Sequence, residues 1–545
     1  MVRDLRALAD TRFDVLVIGA GIYGAATAWD AAARGLSVAL VDRGDFGGAT
    51  SFNNLKTLHG GLRSLQALDL RQMRRFIRER RALARIVPHL VRQLPFVVPT
   101  TRHPRRCAIV MRVALAINDV VARDRNDGVP DPALQLPEGR VVSKKEALRL
   151  NPLVAPDGVT GGAIWHDYQM THADRVTLSF VLSAAGAGAV PANYVGADTL
   201  LVENGRVVGA RLRDWLTGAY LDLRAAVVVN AAGAWAPELV RTLPEGARAV
   251  PAPRLSRAMN VVVRHPARSH ACGGVVDGRF LFIVPWRDVS ILGTSHDAHD
   301  GGPDALTVTG ADLEAFLAEG RRAFPGATLD RESVRLVHRG LLPMVSGQGA
   351  HVKLLRESAV VDHAAHGAPG LISIHGVRYT TARHTAEEAV NAAFRVLGHG
   401  TPPRCRTDHT PLWGGGISDV GAFVKNAVDA GESPVPPDTL ARLAATYGTE
   451  YHRVLNIARE APALGGPIGE DTDVTGAEIV YAARHEMAIT LADAVIRRTE
   501  AGSAGHPGTD ALQRAAALMA WVHGWDARQM EKEVAAVDAF YRLPE

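Results

Sequence analysis

The segment Phe13-Asp-Val-Leu-Val-Ile18-Gly19-Ala-Gly21-Ile-Tyr-Gly24 constrains this chain more than any other. A β-branched run ends in three glycines at G-x-G-x-x-G spacing. An alanine-rich stretch follows to Arg34-Gly35, and Leu36-Ser-Val-Ala-Leu-Val41 then closes on Asp42. Strand, turn, helix and second strand fill a βαβ unit of about 30 residues with an acid at the tip of the second strand. Gly19 permits the tight turn, Gly21 lets backbone N–H groups approach a pyrophosphate at the helix N-terminus, and Gly24 lets the helix lie close on the strand. Asp42 suits an adenosine ribose. A bound dinucleotide is therefore expected; a plain glycine-rich turn would not require the second strand and its acid.

Two more strand ends of this kind follow. Ala225-Ala-Val-Val-Val-Asn230 runs into Ala231-Ala-Gly233-Ala-Trp235, and Leu371-Ile-Ser-Ile374 runs into His375-Gly376 before a helical stretch from Thr381 to Leu397. Small residues past a strand end let backbone lie against a ligand at the sheet's carboxyl edge. The pattern predicts one α/β nucleotide-binding domain assembled from residues 1–80, 150–250 and 350–400. Leu200–Leu212 reads as a hairpin turning at Asn204-Gly205. Asn260–Val263, Phe280–Val284 and Val289–Leu292 read as antiparallel strands of a second domain, spanning 81–149 and 251–349. Helical periodicity, as in Glu478–Met487, marks a third domain over 405–545.

A chain of 545 residues is long enough for these several cores, and 47% hydrophobic with 22% charged residues excludes disorder. The net charge is only +4, which gives no global field for nucleic acid. Cys107, Cys272 and Cys405 lie too far apart for a zinc knuckle or a disulfide framework and fit a reducing compartment. No metal site recommends itself. The amino terminus has no apolar signal segment, and no uninterrupted apolar run reaches about 18 residues, so neither secretion nor a spanning helix is expected.

The βαβ unit, Ala49-Thr50-Ser51, Lys56, His59-Gly-Gly-Leu-Arg63, Pro88-His-Leu90, Asn230–Trp235, Val284-Pro-Trp286 with Leu292-Gly-Thr294, Tyr379–Arg383 and Arg484–Met487 together resemble the FAD-dependent glycerol-3-phosphate dehydrogenases, a membrane-associated respiratory family. The resemblance covers nearly the whole chain. It implies extended FAD in a Rossmann-like domain, an antiparallel substrate-binding cap and a helical carboxyl-terminal domain. It implies a secondary alcohol giving a hydride to flavin N5, with quinone as electron acceptor. A cytoplasmic protein, peripheral on the cytoplasmic face of the inner membrane, and a homodimer are the corresponding expectations for place and assembly. Cofactor positions are then Gly19, Gly21, Gly24, Asp42, Thr50, Ser51, Lys56, His59, Gly60, Ala232, Gly233, Gly376, Thr380 and Thr381.

The substrate side departs from the family. His59, Arg63, Arg378 and His375 are candidates for catalysis, and Arg63, Arg356, Arg378 and Arg339 for gripping a phosphorylated or hydroxylated substrate. For His59, His375 and His296 the alternative is a hydrogen-bonded loop histidine; for Arg356 and Arg378 it is a surface ion pair. Where the family has arginine before a proline, this chain has Leu342-Pro343, so Arg339 replaces that cation only if the backbone path shifts. Ser64, Phe52–Leu55, Arg257–Asn260 and Gly376-Val-Arg378 are further departures. The expected substrate is glycerol 3-phosphate or a related polyol or polyol phosphate. An oxidase using oxygen and a non-catalytic flavoprotein are the rival readings.

One stretch bears on the membrane. From Arg71 to Arg112 there are twelve arginines against the single acid Glu79. Met73, Phe76, Ile77, Leu83 and Val87 form one apolar stripe at helical spacing. Ile109, Val110, Val113, Ile117, Val120 and Val121 form another, flanked by Arg105, Arg106, Arg112, Arg123 and Arg125. Either stripe suits an interfacial helix or a core-facing one.

Overall fold

Phe13–Ile18 has parallel neighbours on both sides, Val38–Val41 and Tyr220–Asn230, which is why it reads as a continuous apolar run rather than an alternating one. The computed structural model describes residues 1–247, 252–264, 267, 269–347 and 352–545. In the first sheet the strands run in the order Ala359–Asp362, Leu371–His375, Tyr220–Asn230, Phe13–Ile18, Val38–Val41, Val190–Ala192. Helices Ile22–Ala33, Ala173–Gly186 and Ala382–Leu397 pack on one face. The meander of Val195–Glu203, Arg206–Asp214 and the start of Tyr220–Asn230 packs on the other. Its hairpin turns at Asn204-Gly205 with φ of 50° and 74°, the left-handed pair that a tight turn between twisted strands needs.

The second sheet has ten strands and forms the cap. Arg254–Val263 lies at its heart between Val289–His299 and Val334–Ser346, all antiparallel. The expected boundaries shift here. Val159–Met170, placed by sequence in the nucleotide-binding domain, pairs with Val91–Thr101 along its length, and Thr57–Leu58 joins its far side. Segments 1–80 and 150–250 thus each lend a strand to the cap. A long strand buries its backbone donors only beside another long strand, and Val91–Thr101 supplies one. The seam between the two sheets therefore runs through His59 and Asp167.

Helices Val420–Asp429, Pro437–Tyr447, Tyr451–Glu460, Gly476–His485, Thr509–His523 and Ala527–Tyr541 build the carboxyl-terminal domain. It is pinned to the nucleotide-binding domain by buried ions. Arg498 grips both oxygens of Asp45 at 2.6 and 2.7 Å, Arg497 adds a third bond at 2.6 Å, and Arg175 meets Glu486 at 2.7 Å. Burial would push the Asp45 carboxyl up; the two guanidiniums overcome it and hold the acid ionised.

The two apolar stripes separate. In the helix Leu70–Ile86, Met73, Phe76, Ile77 and Leu83 are all buried, so that stripe faces the core and is not interfacial. Its arginines are largely spent: Arg80 on Asp167, Arg74 and Arg81 on Asp124, Arg75 on Glu357. The helix Ala108–Val121 buries only Leu115 and turns Ile109, Val113 and Val120 outward at 73%, 54% and 72% exposure.

Buried histidines make stability pH-dependent. His89, His172 and His338 lie inside the protein, and burial holds each imidazole below its ordinary value, His89 at about 3. Unfolded, they take up protons near pH ~6.5, so below that pH the unfolded state binds more protons and stability falls. Urea midpoints measured from pH ~6.5 down to ~4 are expected to decline steadily, each imidazole contributing ~1.4 kcal/mol per pH unit. A flat midpoint across that window contradicts the neutral burial.

Candidate active site

Three loops meet at the carboxyl edge of the first sheet. Gly19 has φ of 96°, and a Cβ there would stand 2.7 Å from the Ala231 carbonyl oxygen; a Cβ on Gly24 would stand 1.7 Å from the carbonyl oxygen of Gly19. Only glycine permits that approach. Gly21 caps the helix that follows, whose first N–H, on Ile22, donates to Ser51 Oγ at 2.9 Å. Thr50 Oγ1 donates to Leu341 O at 3.2 Å, joining this loop to the cap. Asp42 accepts from Ala20 N at 2.6 Å and Gly44 N at 2.9 Å, and burial pushes its carboxyl up to about 6. Each oxygen keeps one lone-pair site for a further donor. Asn230 braces the second loop through Ala236 O and Ala232 N, and Gly233 turns in the left-handed region at φ 57°.

Tyr23, which sequence reasoning passed over, ties in the third loop. Its hydroxyl accepts from Val377 N at 3.0 Å and Arg378 N at 2.9 Å and lies 2.7 Å from Arg378 O. Its ring lies so near Gly376 that any side chain there would collide with it. Thr380 Oγ1 accepts from His59 N at 3.2 Å, while Thr381 is buried at the start of helix Ala382–Leu397.

His59 is anchored at the seam. Its Nδ1 lies 3.3 Å from Asp167 Oδ2, and Gly60 N donates to Asp167 Oδ1 at 2.7 Å. The Asp167 carboxylate is buried and also bound by Arg80. Burial raises its pKa, the bonds from His59 and Arg80 more than reverse this, and the net shift is downward. The His59 side chain stays half exposed. No spacing rule connects positions 59 and 167, so sequence reading had no signal for Asp167.

The substrate-side candidates divide. Arg63, Arg378 and His296 come together. Burial, then the charges of Arg378, Arg279 and Arg63, hold the His296 imidazole neutral down to about 4. Arg63 and Arg378 are both exposed; partial loss of hydration, and next the charge of Arg63, lowers the Arg378 pKa. Arg279 is paired with Glu319, whereas among the described residues neither Arg63 nor Arg378 meets a carboxylate within ion-pair distance. Ser256 Oγ lies 3.3 Å from His296 Nδ1. Ser256 pairs with Leu342 across the sheet, so Leu342 shares the His296 face. Arg339 pairs with Met259 and stands on the opposite face, exposed, which keeps it from replacing the cation absent at position 342.

The remaining candidates lie farther out. Arg356 is exposed; its carbonyl accepts from Gln72 Nε2 at 2.5 Å, and Gln72 also meets Ser64, the neighbour of Arg63. His375 ends its strand beside His363 rather than among the arginines, and burial lowers its pKa. Lys56 has no accessible side-chain surface. Its Nζ donates to Phe52 O at 2.5 Å and lies over the Phe52 and Trp286 rings, and burial lowers its pKa to about 8. A side chain closed off in this way has no room for a flavin against it, so Lys56 supports the loop from within.

Residues 14–386 match the model of the FAD-dependent oxidoreductases, and 405–530 match that of the C-terminal domain of alpha-glycerophosphate oxidase. Glycerol-3-phosphate dehydrogenase 2 of Mycobacterium tuberculosis is 32% identical over 97% of this chain and 88% of its own. The chain belongs to the FAD-dependent glycerol-3-phosphate dehydrogenase family. The human mitochondrial glycerol-3-phosphate dehydrogenase is 30% identical over 98% of this chain and 74% of its own. The FAD complex of a Bacillus halodurans glycerol-3-phosphate dehydrogenase shares the fold with a TM-score of 0.76 at 24% identity, covering 98% of this chain and 95% of that one.

FAD is accordingly the cofactor, and the chain is an oxidoreductase acting on a CH–OH donor. The glycine cradle fits such a group: backbone is bare at Gly19, Gly21 and Gly233, and the acid at position 42 retains acceptor capacity. Gly24→Ala must push the helix off the strand and spoil this cradle. The variant is expected to purify without the visible absorbance of flavin and to recover little of it on incubation with FAD; normal flavin content would contradict the packing argument.

Proposed function

We propose that the enzyme oxidises the secondary hydroxyl of glycerol 3-phosphate, or of a closely related polyol phosphate, and hands the electrons to a quinone. The observation that carries the substrate reading is the pair Arg63 and Arg378, two cations acting on each other without a carboxylate between them. Like charges brought close together repel unless an anion joins them, and a phosphate dianion is a match for two guanidinium forks. The printed names of the M. tuberculosis and human relatives agree with it. Leu342 beside them leaves one cation fewer than the family pattern, which favours a somewhat weaker grip on phosphate.

FAD would lie along Gly19, Gly21 and Gly24, with Asp42 at its ribose, Ser51 and Thr50 near the diphosphate, and Ala232, Gly233, Gly60, Gly376, Thr380 and Thr381 lining the rest. When bound, it supplies the acceptor for the hydride that leaves the substrate carbon. The protein supplies the remainder. Arg63 and Arg378 bind the phosphate and orient the carbinol, neutral His296 offers a hydrogen bond, and His59 takes the hydroxyl proton as the carbonyl forms. His59 stands for this role ahead of His375 because it lies on the segment that carries Arg63.

Anaerobic mixing with glycerol 3-phosphate tests the reading: flavin absorbance is expected to bleach with glycerol 3-phosphate and not with glycerol. Arg378→Met is expected to raise KM roughly 10–100-fold, the value of a hydrogen-bonded charge. Bleaching by glycerol alone, or an unchanged KM, would refute the phosphate site. The match of 405–530 to an oxidase's C-terminal domain favours a second reading, in which oxygen is the acceptor. Peroxide formed in step with substrate oxidation in air would select it over quinone.

Membrane contact is proposed through helix Ala108–Val121. Its apolar face points outward beside the exposed, unpaired Arg102, Arg105, Arg112 and Arg123, a combination that suits an anionic lipid surface. Among the described residues no helix is long and apolar enough to cross a membrane. Flotation with anionic vesicles at low salt is expected to carry the protein upward, and the double substitution Ile109→Asp, Val113→Asp to abolish it. Equal flotation of both forms would place the contact elsewhere.

A further inference from the structure

We infer that Asp167 is the positioning residue that makes His59 a base, by fixing which imidazole nitrogen carries the proton. The inference rests on the reading of His59 as proton acceptor given above. Asp167 stands on strand Val159–Met170 of the cap, with its carboxylate buried. Its Oδ1 is fully committed, receiving Gly60 N at 2.7 Å and Arg80. Its Oδ2 faces His59 Nδ1 at 3.3 Å. An ionised carboxylate only accepts, so Nδ1 carries the hydrogen and the Nε2 lone pair is left open on the half-exposed side of the ring. Thr380 holds the His59 backbone N–H, so both the main chain and the ring of the histidine are fixed.

Arg80 completes the device. Its guanidinium neutralises Asp167 from the far side, and the carboxyl stays ionised despite its burial. The reacting hydroxyl then gives its proton to Nε2: the O–H bond breaks, the Nε2–H bond forms, and the imidazolium charge appears next to a carboxylate that steadies it. The hydride lost from the same carbon is the flavin's share.

Asp167→Asn separates this role from a purely structural one. Gly60 N and Arg80 both donate to the Oδ1 position, so they retain the amide oxygen there and turn the amide NH2 toward His59. That NH2 requires a lone pair on Nδ1 and moves the hydrogen to Nε2, removing the acceptor. The expected result, measured by anaerobic stopped-flow with glycerol 3-phosphate, is a flavin-reduction rate lower by roughly 10²–10⁴-fold with KM and FAD content close to wild type. The double variant with His59→Gln should be no slower than His59→Gln alone. A D167N rate within a few-fold of wild type while His59→Gln is inactive overturns the inference. Should His59→Gln itself reduce flavin normally, the base assignment fails instead.

A second measurement needs neither turnover nor a folded Asp167 variant. Proton NMR of the wild-type holoenzyme should show a downfield Nδ1–H resonance, bound to a carboxylate, that is missing from His59→Gln. Its absence from the wild type overturns the inference.

Discussion

The approach of Gly24 to the carbonyl of Gly19 sets the distance between the first helix and the first strand, and much of the molecule is arranged around that distance. With the helix so close, its opening turn can reach two other loops at once. Gly19 backs onto Ala231, Ile22 N meets Ser51, and the Tyr23 hydroxyl takes the N–H groups of Val377 and Arg378. One helix end thereby aligns loops that lie more than three hundred residues apart in the chain. A side chain at position 24 would disturb them together, because the helix end that carries these contacts would shift as one.

Arginine holds the domains to one another. Arg498 with Asp45, Arg175 with Glu486 and Arg383 with Glu79 are buried pairs that join segments far apart in sequence. Removing one partner from such a pair strands a charge inside the protein at a cost of about 3–5 kcal/mol. Arg63 and Arg378, exposed rather than buried, meet no carboxylate within ion-pair distance among the described residues, and both act on His296. The partner proposed for this pair is the substrate's phosphate.

The seam between the sheets explains why the proposed catalytic parts come from unrelated stretches. Thr57–Leu58 leaves the nucleotide-binding segment to join the cap and delivers His59 beside Asp167, which arrives from the cap's own long strand. The cap face bearing Ser256, His296 and Leu342 turns toward the same place. The glycine turns, His59 and the arginines proposed to hold the substrate are thus brought together by two sheets whose strands come from interleaved segments of the chain.

Local chemistry alone determined a good part of this. The glycine spacing with the second strand and the acid at Asp42 points to a dinucleotide cradle and Asn204-Gly205 specifies its hairpin, whereas His59 and Arg63 stood out only through the family resemblance. Periodicity showed that residues 73–87 and 109–121 each have an apolar side. It gave no means of telling which side would be covered, and only packing distinguished the buried helix from the exposed one. The same limit hid Asp167 and Tyr23, whose partners are set by strand pairing and loop contact across long stretches of chain. It also left open a shifted backbone path that would let Arg339 replace the cation missing at Leu342, until the register with Met259 and Ser256 put the two on opposite faces. Sequence determines which residues can lie side by side along an element; which element lies against it is decided by the burial of whole surfaces, a property of the assembled chain.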